Sequence, residues 1–293
     1  MLSKLMTIIV MVTMTVGIAY AADSKDIKVI DEIFEVDAHE LFTVDIDVDV
    51  ADLVVTRSAH RKECRVFLTY ETDRFSPDIS FTKNRLDVNI DCEKLFCNKD
   101  DDDGQSHGCS NNSTIVEVRI ELPYGPDTSL DVYIKAGKTD FKVGDLSLND
   151  FSLRCLAGKT VVDFDRPNRI EIDELNIHCS VGETELKHLG NARFKHADIN
   201  GGVGEMNIDF TGDLIAKSYA KIDLDIGETD ILVPDNTGTK IRVSRFLFFS
   251  NADSPSGFSK KGKTWYSDNY DDFDTRLSLN VSAGIGEVDI RTE

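Results

Sequence analysis

Apolar and polar residues alternate strictly through Val44-Asp45-Ile46-Asp47-Val48-Asp49-Val50, and again through Val116-Glu117-Val118-Arg119-Ile120-Glu121-Leu122. A period of two predicts β-strands with one face buried. Alternation recurs around a short motif: "IKAGKTDF" about Gly137, "CLAGKTVV" about Gly158, "CSVGETEL" about Gly182, "GGVGEMNI" about Gly204, "LDIGETDI" about Gly227 and "AGIGEVDI" about Gly286. A degenerate early copy, "VDVADLVV", carries Ala51 in place of the glycine. From Gly137 to Gly227 the steps are 21, 24, 22 and 23 residues; the step to Gly286 is 59, room for further units without a clear glycine. Turn signals ("GDLSLND", "DRPN", "HLGNA", "TGD") separate the copies. Short strands at a steady period, with no helical periodicity between them, predict an all-β, predominantly parallel β-solenoid. It is expected to form a single elongated β-helix-like domain over residues 27–293.

The phase of the alternation slips at the glycine. Ile222, Leu224 and Ile226 precede Gly227 in one phase, while Thr229 and Ile231 follow in the other. Leu175, Ile177, Cys179 and Val181 slip likewise against Thr184 and Leu186 across Gly182. One half would turn outward unless the backbone bends there. Glycine suits such a bend because it takes a positive φ or a close backbone approach at little cost. On this reading Val181 and Ile226 belong to the inward set.

Stacking the copies aligns Lys138, Lys159, Glu183, Glu205, Glu228 and Glu287 in one outward column. The adjacent glutamates repel one another. The column either splays into water, holds a divalent cation, or meets a basic partner. Three residues before the glycine stand Ile134, Cys155, Cys179, Gly201, Leu224 and Ala283, a position expected to face inward. Stacked strands would hold Cys155 and Cys179 about 4.8 Å apart, inside the ~4.4–6.8 Å Cα window of a disulfide. Side chains lying side by side on parallel strands strain such a bond. A disulfide is the expectation, with two buried free thiols as its alternative.

The stretches "ELPYGPDTSLDVYIKAGKTDF" and "TRLSLNVSAGIGEVDIR" resemble the bacterial toastrack-like ("putative adhesin") domain family of cell-envelope proteins, and its relatives among cell-wall antibiotic-response proteins. The resemblance spans roughly residues 40–293 and implies an exported or envelope-facing β-solenoid. The chain departs from the family in a Cys- and Asp-rich insert at about 92–113, on whose role the resemblance is silent.

Charge and composition narrow the partners. A formal net charge of −20 argues against nucleic acid and against docking on an anionic membrane surface. Residues 1–21 combine Lys4, an apolar run and the small-x-small triplet Ala19-Tyr20-Ala21, the pattern of a secretory signal peptide cleaved before Ala22. The alternative is an uncleaved anchor, for which the run is just long enough. Export would place Cys64, Cys92, Cys97, Cys109, Cys155 and Cys179 in an oxidising compartment, where disulfides are favoured.

The insert offers three candidate chemistries. An EF-hand needs oxygen ligands where Lys99, Asp101 and Asp103 stand and a bidentate glutamate where Ser110 stands, so two of its ligands are missing. Cys92, Cys97, Cys109 and His107 match a Cys3His zinc set in type, which an oxidising space disfavours. A solvated loop stapled by a disulfide such as Cys97–Cys109 is the expectation. His39, His60, His178, His188 and His196 show no ligand spacing. Asn111, Asn112 and Asn280 begin glycosylation sequons that chance explains. No G-x-S-x-G or strand-borne G-x-G-x-x-G motif occurs.

No catalytic, cofactor-binding or metal-binding residue is therefore assigned, and no cofactor is expected. The sequence points to a non-enzymatic exported cell-envelope or periplasmic protein, periplasmic or secreted, presenting a β-solenoid surface for binding or scaffolding. The expected partner is an unidentified envelope protein or polymer, with no nucleic acid and no stable membrane insertion after signal cleavage. An envelope-stress sensor or regulator is the alternative implied by the antibiotic-response relatives. A secreted carbohydrate-active enzyme is a second alternative, by fold analogy, and would need paired carboxylates about the scissile bond. Trp265 and Tyr266, in the less regular region 234–280, are expected to cover an open end of the stack or to pack in a local core.

Overall fold

The computed structural model describes residues 26–92, 116–245 and 256–293. The signal peptide with its cleavage site, the Cys97–Cys109 disulfide, the calcium and zinc readings of the insert, and the sequons at Asn111 and Asn112 lie outside the described residues.

The strands are β1 (Ile27–Glu35), β2 (Phe42–Arg57), β3 (Glu63–Glu71), β4 (Phe75–Thr82), β5 (Arg85–Cys92), β6 (Val116–Leu122), β7 (Thr128–Lys142) and β8 (Leu148–Asp163). They continue with β9 (Ile172–Lys187), β10 (Phe194–Asp209), β11 (Lys217–Val233), β12 (Gly238–Arg245), β13 (Phe258–Lys261), β14 (Thr264–Ser267) and β15 (Arg276–Thr292). All belong to one sheet, and its central run β2-β7-β8-β9-β10-β11-β15 is parallel throughout. The protein is all-β with a long, mostly parallel sheet, as the alternation predicts.

Each central strand is 15 to 17 residues long and continues through its motif glycine or, in β2, through Ala51. The two arms of one strand, with the loop that follows, make one rung of the stack. Glycine is required at the bend for two separable reasons. Gly182 and Gly204 take φ of 133° and 147°, where L side chains are strained. A Cβ on either would also lie 1.8 Å from the carbonyl oxygen of the preceding rung's glycine. Ala51 pairs with Gly137 in register but takes no positive φ, which is why the first copy tolerates a methyl group.

The 59-residue step does not hold further units laid down in sequence. Gly286 lies directly beside Gly227, so β15 inserts between β11 and β12, and the intervening β12, β13 and β14 lie beyond it. At the other end the two arms of β2 part company. Its first arm pairs with β5, backed antiparallel by β4; its second pairs with β6, and β6 leads antiparallel to β3 and β1. The antiparallel strands thus sit at the ends of the stack, where exposed strand edges would otherwise invite pairing. Trp265 is buried on β14 opposite Ile241 of β12, near the β13 end of the sheet.

Inside the arms the alternating Val, Ile, Leu and Phe side chains form one core. Phenylalanines meet between successive rungs, as Phe141–Phe151 do with ring centroids 5.5 Å apart, and across one rung, as Phe194–Phe210 do at 6.2 Å. The loops are tied by asparagine side chains. Buried Asn168 accepts from the Leu148 backbone N–H and donates to the carbonyls of Leu148 and Ile170. Asn191 donates to the Phe164 carbonyl in the same manner one rung later.

Candidate functional site

The bend sorts its neighbours by side. Counting from the glycine, positions −3 and +2 fill the inside. Thr139, Thr160, Thr184, Met206 and Thr229 stand at +2, buried and in register. Thr139 Oγ1 donates to Thr160 Oγ1 at 3.0 Å. Cys155 and Cys179 face one another across β8 and β9 at −3, as predicted, yet both are free thiols. This corrects the disulfide expectation: parallel neighbours lay their side chains side by side, and each thiol turns instead to the threonines. Burial raises the pKa of both thiols, opposed by hydrogen bonds from Thr160 to Cys155 and from Thr184 and Thr160 to Cys179. Cys64 is free as well, pushed up to about 12 by burial and by the charge of Glu121. Free Cys92 lies at the end of β5, where its backbone N–H donates to Asp49.

Because −3 and +2 close the inside of the bend, position −1 lies on the outside. Val181 is 52% exposed, Val203 47%, Ile226 45% and Ile285 60%. The assignment of Val181 and Ile226 to the inward set is thereby overturned; the phase slips within the bend, before the glycine rather than at it. These four residues are direct register neighbours on β9, β10, β11 and β15. Their counterparts on β7 and β8 are Ala136 and Ala157.

The outward column at +1 stands as predicted. Lys138, Lys159, Glu183, Glu205, Glu228 and Glu287 follow one another in register, Asp52 of β2 extends the column at its head, and all are exposed. Lys159 Nζ pairs with Glu183 at 2.9 Å, which raises the lysine pKa by hydrogen bond and charge. Glu205, Glu228 and Glu287 have no ion-pair partner among the described residues. From β9 onward, an apolar column and a carboxylate column therefore run side by side along the outer corner. The signal for the apolar column stood in the motif, as "SVG", "GVG", "DIG" and "GIG". Alternation alone counted those residues as core.

The remaining charged groups are dispersed. His188 Nδ1 is 2.8 Å from Asp163, His196 is 3.6 Å from Glu174 and His60 is 3.7 Å from Glu63. His178 lies between Arg154 and Asn200 in register, and the His39 backbone N–H donates to Asp37. No group of three His, Cys, Asp or Glu residues suited to a metal ion occurs among the described residues. Asp145, in the turn after β7, meets Arg169 at 2.9 Å, Arg57 at 3.3 Å and Arg166 at 3.5 Å. Those arginines hold its carboxyl below the usual carboxylate range, the Arg169 hydrogen bond foremost. Arg57 and Arg169 also stack on the Tyr124 ring, 4.1 and 4.8 Å from its centroid. A cavity at β12–β14 is lined by Arg242, Lys260, Lys263 and Trp265, with no carboxylate among its described lining residues. No described helix is long and apolar enough to cross a membrane.

Two family models match the chain. Residues 22–173 match the family model described as "N-terminal domain of toast_rack, DUF2154". Residues 180–290 match the model described as "Cell wall-active antibiotics response LiaF, C-terminal". Among solved structures, the chain is similar to a "putative cell adhesion protein" from Clostridium sporogenes, with 18% identity, a TM-score of 0.44, and coverage of 91% of this chain and 100% of that one. It is also similar to a "putative adhesin" from Parabacteroides merdae, with 10% identity, a TM-score of 0.37, and coverage of 91% and 96%. No functionally curated protein matches it in sequence.

Proposed function

The chain belongs to the toast-rack family, and from that premise we propose that it is a non-enzymatic protein of the cell envelope, periplasmic or secreted. Its stacked rungs act as one elongated β-solenoid over residues 27–293, presenting an outer surface for binding or scaffolding. The observation that carries this reading is the outer corner from β9 to β15, where four half-exposed β-branched residues stand in register beside four carboxylates. An unpartnered apolar column on the water side of a sheet is a feature of interaction surfaces. A carbohydrate-active enzyme has less support, because the described residues lining the cavity at β12–β14 do not include the paired carboxylates such chemistry needs.

A second reading is favoured by a specific observation, the match of residues 180–290 to the antibiotic-response family model. Under it the same surface would report envelope stress to a regulatory partner.

Fractionation of the cell that makes the protein tests the main reading. The expected result is protein in the envelope or the medium, beginning at Ala22 and co-purifying with an envelope component after mild cross-linking. Protein confined to the cytoplasm and still beginning at Met1 would overturn it.

A further inference from the structure

We infer that the paired columns Val181-Val203-Ile226-Ile285 and Glu183-Glu205-Glu228-Glu287 form a docking face for a basic amphipathic helix of a partner protein, an inference that rests on the binding role proposed above.

The first support is that both columns change character at the same rung. On β7 and β8, positions −1 and +1 are Ala136 with Lys138 and Ala157 with Lys159. On β9, β10, β11 and β15 they are Val181 with Glu183, Val203 with Glu205, Ile226 with Glu228 and Ile285 with Glu287. The bend itself needs neither bulk nor negative charge, since Gly158 makes the same positive-φ turn between Ala157 and Lys159. Size at −1 and charge at +1 are thus free of the backbone, yet they switch together and stay switched over four neighbouring rungs.

The second support is physical cost. Each of the four β-branched side chains leaves 45–60% of its surface in water. Glu228 and Glu287 stand in register without a described ion-pair partner, Glu205 has only the more distant charge of Lys159, and like charges on adjacent strands destabilise one another. A partner that covers the apolar column and brings lysine or arginine to the carboxylates relieves both costs at once.

The third support is the repeat distance, which selects the partner's form. Neighbouring rungs recur at about 4.8 Å, so three steps from Val181 to Ile285 span about 14 Å. A helix lying along the stack repeats one face every 5.4 Å, about 16 Å over three turns. Its i, i+4, i+7 and i+11 side chains therefore keep pace with the apolar column while flanking basic residues meet the glutamates. An extended strand laid the same way repeats one face at about 6.6–6.8 Å and falls out of step. A second copy of this chain is disfavoured by the four glutamates of the face and by the net charge of −20. A divalent cation would leave the apolar column uncovered.

The test uses the full chain and a designed 18-residue helical peptide with leucines along one face flanked by lysines. Two controls accompany it: the same residues scrambled, and the same helix with glutamate for lysine. Binding is read by fluorescence anisotropy against wild type, the double variant Val203→Ser/Ile226→Ser and the double variant Glu205→Lys/Glu228→Lys. The expected result is binding of the lysine helix to wild type, weakened at least tenfold by either double variant, with the Glu205→Lys/Glu228→Lys chain now preferring the glutamate helix. All four positions are exposed, so melting temperatures should stay near wild type. Should the serine variant melt early, the charge-reversal variant alone decides. Equal binding of the helix and its scramble, or binding unchanged in a stably folded double variant, would overturn the inference. A concentration-dependent dimer by sedimentation that the serine variant abolishes would also overturn it, assigning the face to a second copy. Recovery with the envelope separates the two levels of the account. If wild type and both variants are retained there equally, the docking face fails and the envelope reading stands; if wild type is not retained, the envelope reading fails.

Discussion

Rungs β7–β8 and rungs β9–β15 share one backbone and differ in what flanks its bend. In both, a glycine with φ between 133° and 147° presses its Cα against the carbonyl of the preceding rung, with no space for a Cβ. Outside that bend, β7 and β8 carry alanine and lysine, whereas the later rungs carry valine or isoleucine and glutamate. Inside it, Thr139 and Thr160 are hydrogen-bonded, and Thr160 and Thr184 also serve the thiols of Cys155 and Cys179. At the next rung Met206 takes the threonine's place and supplies no donor or acceptor of comparable strength. Thr229 is then left between Met206 and Val288 with its buried hydroxyl unpartnered. The contrast teaches that close approach of neighbouring backbones fixes one position per rung. The flanking positions are free to diverge, and the inside and outside of the bend both do.

The widest test of that division is to break the fixed position in both regions. Gly158→Val and Gly204→Val should each cost about 3 kcal/mol or more, since strain at positive φ adds to a steric clash with backbone. Ala51→Val, at the head of the column without a positive φ, should cost about 1–2 kcal/mol. Urea midpoints measure all three, and a Gly204→Val chain as stable as wild type would refute the close approach.

A smaller effect separates the regions by pH. Asp145 ties the turn after β7 to three arginines, and its folded pKa is depressed. A depressed carboxyl contributes stability above its unfolded pKa and loses it as the pH falls through the folded value. Asp145→Asn should therefore cost about 1–2 kcal/mol at neutral pH. It should also flatten the loss of stability that wild type shows below about pH 4. Parallel pH profiles for the two proteins would speak against the cluster.

The smallest effect lies in the threonine ladder, where one substitution should act with opposite sign in the two regions. Thr160→Val orphans Thr139 and should destabilise by about 1 kcal/mol, whereas Thr229→Val removes a hydroxyl that is already orphaned and should be neutral or stabilising by up to about 1 kcal/mol. Thermal melting of the two variants reads the signs directly.

Much of this was legible because one constraint repeats. The spacing of Gly137, Gly158, Gly182, Gly204 and Gly227 located the rungs, and the +1 column followed by stacking. The exposure of Val181 and Ile226 was not legible. Strict alternation assigns them to the core, and only the meeting of −3 and +2 inside the bend puts them outside. Nor was the place of β15 between β11 and β12, because sequence order does not record which strand inserts between earlier neighbours. The antiparallel ends were hidden similarly: strand β6 alternates as strictly as any central strand, yet β3 pairs with it antiparallel. Cys155 and Cys179 were placed side by side correctly, but spacing does not give the direction in which each thiol turns.

Position −1 leaves the core at the bend and forms an outward column from β9 onward. Its most direct measure is thiol accessibility in the native chain. Single variants Val203→Cys and Ile226→Cys, with Ile199→Cys and Ile222→Cys as buried comparators on the same two strands, are exposed to a polar alkylating reagent and the labelled peptide is read by mass spectrometry. Rapid labelling is expected at 203 and 226, and protection at 199 and 222, where the native Ile199 and Ile222 are fully buried. Protection of all four positions alike would contradict it, returning Val203 and Ile226 to the core and removing the outer column.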